Sequence, residues 1–136
     1  MVAEKLQIYI FDPNCPTFMS TDASDVGIGA VLSQVQNNRE VPIAFASHTL
    51  QQHERNYSTG ERECLAAVWG CERFEKFLLS RHFTLRTDHS ALEQLLKSPH
   101  TDQRKSSKFV CWAERLAEFD YTPVYRRGVR TTGMAP

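Results

Sequence analysis

Three of the sixteen acidic residues in this 136-residue chain stand where a carboxylate could do chemistry: Asp22, Glu63 and Asp88. Asp22 lies near the end of a strand-like run, among the small polar residues Ser20, Thr21 and Ser24. Glu63 falls on the packing face of the clearest helical pattern, and Asp88 follows a second strand-like run just before a helix start. Each has an ordinary alternative. An aspartate bonds its own backbone in turns, an acid at a helix start is favoured by the dipole, and most helical glutamates face solvent. If the two strands are parallel neighbours joined by a right-handed helical crossover, the three carboxylates can converge. Unpaired, they would repel and raise one another's pKa values. Divalent cations resolve that conflict, and an all-oxygen donor set selects hard ions such as Mg²⁺ or Mn²⁺. Two such ions about 4 Å apart clamp the attacking and leaving oxygens of phosphoryl transfer.

The elements that would position them are legible in order. Residues 1–16 hold a short apolar run and then Pro13 and Pro16, which reads as a lead-in with turn signals. Thr17 to Asp22 alternates as a strand. Gly27 to Val35 is β-rich, and its two glycines let another backbone approach or the strand bend. Val41 to Thr49 is a third strand, an edge by its Pro42. Gln36-Asn37-Asn38-Arg39 suits a hairpin, so these three strands form an antiparallel meander. Ser58-Thr59-Gly60-Glu61 is a capping box that opens a helix running to about Leu79, with Glu61 reaching back to the cap. At the helical period Gly60, Glu63, Cys64, Ala67, Cys71, Phe74 and Leu78 share a face, and Leu65 and Trp69 point the other way. That helix is expected to pack on both sides.

Phe83 to Thr87 is a fourth strand. A second capping box, Ser90 to Glu93, then starts a short helix ending near Ser98-Pro99. A further helix, roughly Gln103 to Phe119, buries Phe109, Trp112, Ala113, Leu116 and Phe119. It carries Arg104, Lys105, Lys108 and Arg115 elsewhere, either a solvated face or a contact for a phosphate backbone. Tyr121 to Tyr125 is a fifth strand, an edge by Pro123. The class is α/β: a five-stranded mixed sheet, a meander plus two parallel strands, with helices packed on it.

The totals bound the reading. Formal charge is zero, but residues 1–68 hold eight acids against four bases and residues 69–136 hold eight against twelve. An acidic half could build a metal site and a basic half could face a polyanion. Cys15, Cys64, Cys71 and Cys111 show no paired spacing and read as reduced thiols in an intracellular chain. No apolar run reaches the roughly 20 residues of a membrane span, and no signal-peptide pattern opens the chain. An intracellular location is expected.

Thr21-Asp22-Ala23-Ser24 with Gly27-Ile28-Gly29-Ala30-Val31-Leu32, then Pro42 to Ser47, resembles the RNase H domain of gypsy-type LTR retrotransposons. So do Glu54 to Ser58 with Glu61 to Ala66, Thr87 to Leu92, and Glu118 to Tyr121 with Tyr125-Arg126. The likeness runs from about residue 11 to residue 128. It implies an RNase H-like fold and hydrolysis of the RNA strand of RNA–DNA hybrids by two Mg²⁺ (or Mn²⁺) ions, leaving a 3′-hydroxyl. It further implies that Asp22, Glu63 and Asp88 are the metal ligands, and that the domain adjoins a reverse transcriptase in a polyprotein. Ser24, His89, Arg104, Lys105 and Lys108 are candidate substrate contacts. His89 reads as a structural or substrate-side group, because neighbouring strand residues point to opposite faces.

One departure stands out. The family pattern continues after Tyr-Arg-x-Gly with a fourth aspartate at the start of a terminal helix. Here Tyr125-Arg126-Arg127-Gly128 is followed by Val129 to Pro136, with no Asp or Glu after Asp120. The expected domain is therefore 17–128, with 129–136 an atypical tail that reads as truncated or frameshifted, lacking the terminal helix. A weakened second metal site follows from that. The alternative function is a catalytically impaired relative that only binds nucleic acid or protein. An integrase or transposase core would also cluster carboxylates, but the motifs favour the RNase H branch.

Overall fold

Turn chemistry and alternation build the meander first. The computed structural model describes residues 5–7, 9–87 and 107–125. Strand β2 (Thr17–Ala23) turns through Ser24 into β3 (Gly27–Gln36), and β3 returns as β4 (Arg39–Thr49). Asn37 and Asn38 carry the positive φ values, 55° and 65°, that a two-residue hairpin turn requires, and Asn tolerates them. At the other turn the Ser24 Oγ accepts from the Gly27 N–H at 3.1 Å and donates to the Gly27 carbonyl at 3.2 Å.

Pairing of β3 with β4 slips between Leu32 and Ser33, where Leu32 faces Ala44 and Ser33 faces Pro42. Ile43 is the extra residue, so Ile43 and Ala44 are buried consecutively. The bulge lies beside the proline, whose missing N–H could not serve a regular ladder.

The sheet has six strands among the described residues, in the order β1 (Lys5–Gln7), β4, β3, β2, β5 (His82–Thr87), β6 (Asp120–Tyr125). The five expected strands are all present. The sixth, β1 (Lys5–Gln7), comes from the lead-in and pairs antiparallel with Ala44–Ala46, so β4 is an edge only beyond that cover. Residues after β1 are also tied down. Gln34, fully buried, accepts from the Asp12 N–H at 2.9 Å and donates to the Asp12 carbonyl at 2.8 Å and to Thr17 Oγ1 at 3.0 Å. Arg81 donates to the Pro13 carbonyl at 2.8 Å, and its guanidinium lies 4.7 Å from the centre of the Phe11 ring.

Two short helical turns flank the main helix. α1 (Gln52–Arg55) precedes it, and α3 (Glu75–Leu78) follows a break at Phe74, whose φ and ψ of −104° and 25° leave the helical range. The main helix α2 is therefore Thr59–Arg73, shorter than the apolar stripe implied. Ser58 and Glu61 form the expected capping box, at 3.1 Å and 2.8 Å. Cys64, Ala67, Cys71, Phe74 and Leu78 are all fully buried. Leu65 and Trp69, half-buried, pack against a second cluster of Ile28, Leu50 and Ala66, so α2 does pack on both sides.

After α2 the chain enters β5 (His82–Thr87), parallel to β2, with Met19 opposite Leu85. Helix α4 (Ser107–Leu116) buries Trp112, Ala113 and Leu116 on the same side as α2, and β6 (Asp120–Tyr125) runs parallel to β5. The expected short helix at 90–98, the first turn of the expected helix at 103–106 and the tail from 126 lie outside the described residues.

Candidate active site at the carboxyl end of the central strands

Where α2 crosses the sheet decides what Glu63 can reach. A side chain at Gly70 would meet Met19 Sδ and Ala30 Cβ at 3.0 Å, so the middle of α2 lies directly on β2 and β3. Ala66, one turn earlier, packs with Ile28 and Leu50, and Ala23 packs there too. Moving toward the start of α2 therefore means moving toward the carboxyl end of β2. Seven residues of helix from Gly70 to Glu63 advance about 10 Å. Three residues of strand from Met19 to Asp22 also advance about 10 Å. Glu63 thus lies toward the strand end that carries Asp22.

They approach that end from different sides. Met19 and Thr21 are buried beneath α2, so the alternation of β2 turns Asp22 to the opposite, exposed face. Its Oδ1 accepts from the Ala23 N–H at 3.0 Å. Glu63 is 4% exposed, under the helix. The sequence reading let the carboxylates converge without assigning Asp22 to a face. The structure puts Asp22 on the face away from Glu63, because a residue's face in a strand follows its parity and Asp22 has the parity of Phe18 and Ser20. Among the described residues no three His, Cys, Asp or Glu side chains gather into a metal-holding group. Asp88 and His89 lie outside the described residues, directly after Thr87, which ends β5 and is 2% exposed.

The donors available suit a hard cation: both are carboxylates, one of them open to solvent. Burial pushes the thiol of Cys64, next to Glu63, up to about 12.

Asp22 opens onto a trough of about 360 Å³ lined also by Ser24, Gly27, Gly29, Ser47 and Thr49. Asp22 pairs with Gly29 and Gly29 with Ser47, so these three form one row across β2, β3 and β4 on the face away from α2. Sequence reasoning missed Ser47, because only the strand register sets it beside Asp22. The next row on that face is Phe45, Val31, Ser20, Arg86 and Val124. Arg86 forms a bidentate pair with Glu40 at 2.7 and 3.1 Å, and its guanidinium lies 4.0 Å from the centre of the Phe18 ring.

The remaining candidates are mostly engaged within the fold. Ser24 commits its hydroxyl proton to its own turn. Lys108 pairs with Glu61 at 3.1 Å and lies 4.1 Å from the centre of the Tyr57 ring. Arg115 donates to Glu72 at 2.8 Å, which ties α4 to α2. The basic side of this helix thus spends two charges holding helices together. Arg104 and Lys105 lie outside the described residues.

A mixed sheet of antiparallel meander and parallel pair, with a long crossover helix and carboxylates at the strand ends, defines the RNase H-like class. The chain belongs to the family described as the RNase H-like domain found in reverse transcriptase, whose pattern matches residues 12–119. It is 40% identical over 110 residues to the retrovirus-related Pol polyprotein from transposon 297 of Drosophila melanogaster, covering 81% of this chain and 10% of that protein. It is 38% identical over 114 residues to the Pol polyprotein of transposon gypsy from the same organism, covering 83% of this chain and 10% of that one. Among solved structures, a foamy viral protease-reverse transcriptase in complex with RNA/DNA hybrid superposes with a TM-score of 0.65 at 18% identity, over 87% of this chain and 16% of that chain. The chain thus spans about a tenth of the length of these polyprotein relatives. No helix of the described residues is long and apolar enough to cross a membrane.

Proposed function

We propose that this domain hydrolyses the RNA strand of RNA–DNA hybrids, with Asp22, Glu63 and Asp88 as ligands for two Mg²⁺ or Mn²⁺ ions. The observation that carries the reading is the crossover. α2 starts toward the carboxyl end of β2, bringing Glu63 to the strand end that carries Asp22, and runs back along β2 to β5, which is parallel to β2 and leads the chain to Asp88. The strand end, rather than either face, is where these carboxylates can meet. Ions held there would activate a water nucleophile and neutralise charge developing on the phosphodiester. The protein's own part is positional. The Ser24 turn fixes the strand end that carries Asp22, and packing of Gly70 on Met19 and Ala30 fixes the height of Glu63. The relatives that match are Pol polyproteins, and on this reading the domain works beside a reverse transcriptase.

The test is cleavage of a labelled RNA–DNA hybrid in Mg²⁺ or Mn²⁺ by the chain and by its Asp22→Asn variant. Turnover by the first that falls by orders of magnitude in the second is expected. Equal inactivity of both removes the nuclease reading. A second reading rests on residues 121–136, which contain no Asp or Glu and so offer no fourth carboxylate. It predicts hybrid binding that weakens steeply with salt, without turnover.

A further inference from the structure

Two glycines of β3 line the trough beside Asp22, and the fold accounts for only one of them. A Cβ at Gly27 would come within 3.3 Å of the His48 carbonyl oxygen, a tight contact with backbone that cannot swing away. Gly29 is different. Among the described residues its Cβ would find within 4 Å only the Ala46 carbonyl oxygen, at an ordinary 3.7 Å, and its φ lies outside the left-handed region. It sits inside an interior strand, with β2 on one side and β4 on the other. A glycine there gives up packing and adds freedom to the unfolded chain. What its bare Cα does is keep open the floor between Asp22 and Ser47, its partners on either side.

We propose that Gly29 is the close-approach point for the substrate strand: the sugar–phosphate backbone of the RNA lies in this trough, against the Gly29 Cα, with Asp22 on one side and Ser47 on the other. A methyl group at Gly29 would stand in that path without crowding any described residue. This rests on the hybrid-nuclease reading and gives it a direction, since the strand would reach the carboxylates from the face away from α2.

The experiment measures thermal unfolding of the wild type and Gly29→Ala, together with the affinity of each for a fluorescent RNA–DNA hybrid at low salt by anisotropy. The variant is expected to melt at or above the wild-type temperature and to bind the hybrid about tenfold more weakly, the effect of overfilling one close contact. Equal affinity overturns the inference and leaves the nuclease reading standing. A lowered melting temperature also overturns it, because the glycine would then belong to the fold. Absence of hybrid binding by the wild type removes both.

Discussion

Gly70→Ala tests whether the seat of α2, and with it the height of Glu63, is as tight as the contacts indicate. Two effects oppose each other. In an exposed helix interior, alanine gains about 1 kcal/mol over glycine. Here the added carbon would lie 3.0 Å from Ala30 Cβ, 3.0 Å from Met19 Sδ and 3.1 Å from Met19 Cε. Ordinary carbon contacts sit at about 3.5–4.0 Å, so something must move by roughly half an ångström. Met19 is the softer neighbour, being a thioether with several rotatable bonds. It is nevertheless fully buried, and so has no solvent to swing into. Ala30 cannot rotate away at all. Overpacking of this kind costs about 1–3 kcal/mol, which equals or outweighs the helical gain. The net expectation is a loss of about 0–2 kcal/mol. Urea unfolding monitored by circular dichroism measures it, and the double variant Gly70→Ala/Ala30→Gly should recover part of the loss. A Gly70→Ala protein more stable than wild type by the full helical gain would refute the reasoning. Lifting α2 also shifts Glu63, so hybrid cleavage should fall in the same variant.

Two further outcomes follow from the contacts. Gln34→Leu keeps the volume but removes the hydrogen bonds that hold Asp12 and Thr17; because Asp12 is exposed and its backbone can rehydrate, the cost should be about 1–2 kcal/mol, with faster hydrogen exchange at the Asp12 amide as the local sign. The third concerns acid. Burial works to raise the Glu61 carboxyl, but hydrogen bonds from Ser58 and the Lys108 ammonium outweigh it and hold it below its ordinary 4.5. A depressed folded-state value means the unfolded chain binds the proton first. The stabilisation is therefore complete above pH 4.5 and is lost as pH falls through the lower folded value. Wild type should melt above Glu61→Gln at neutral pH, and the gap should close below that range.

The amino-acid sequence by itself determined the local facts. Ser58 and Glu61 cap α2, Asn37 and Asn38 turn the hairpin, and the stripe from Cys64 to Leu78 is buried, because each depends on neighbours within a few residues. Glu63 was legible as an acid on a packing face for the same reason. Tertiary structure decided what depends on pairing at long range. The parity of β2 against α2 turned Asp22 away from Glu63's side, and the register of β2, β3 and β4 set Gly29 and Ser47 beside it. Lys108 and Arg115 read as a free basic face until Glu61 and Glu72 met them across two helices. The lead-in read as linker because the partners of β1 lie nearly forty residues downstream, and no local pattern encodes them. Asp22 remains the centre of the proposed site: sequence supplied its carboxylate, and strand register decided which face it opens to.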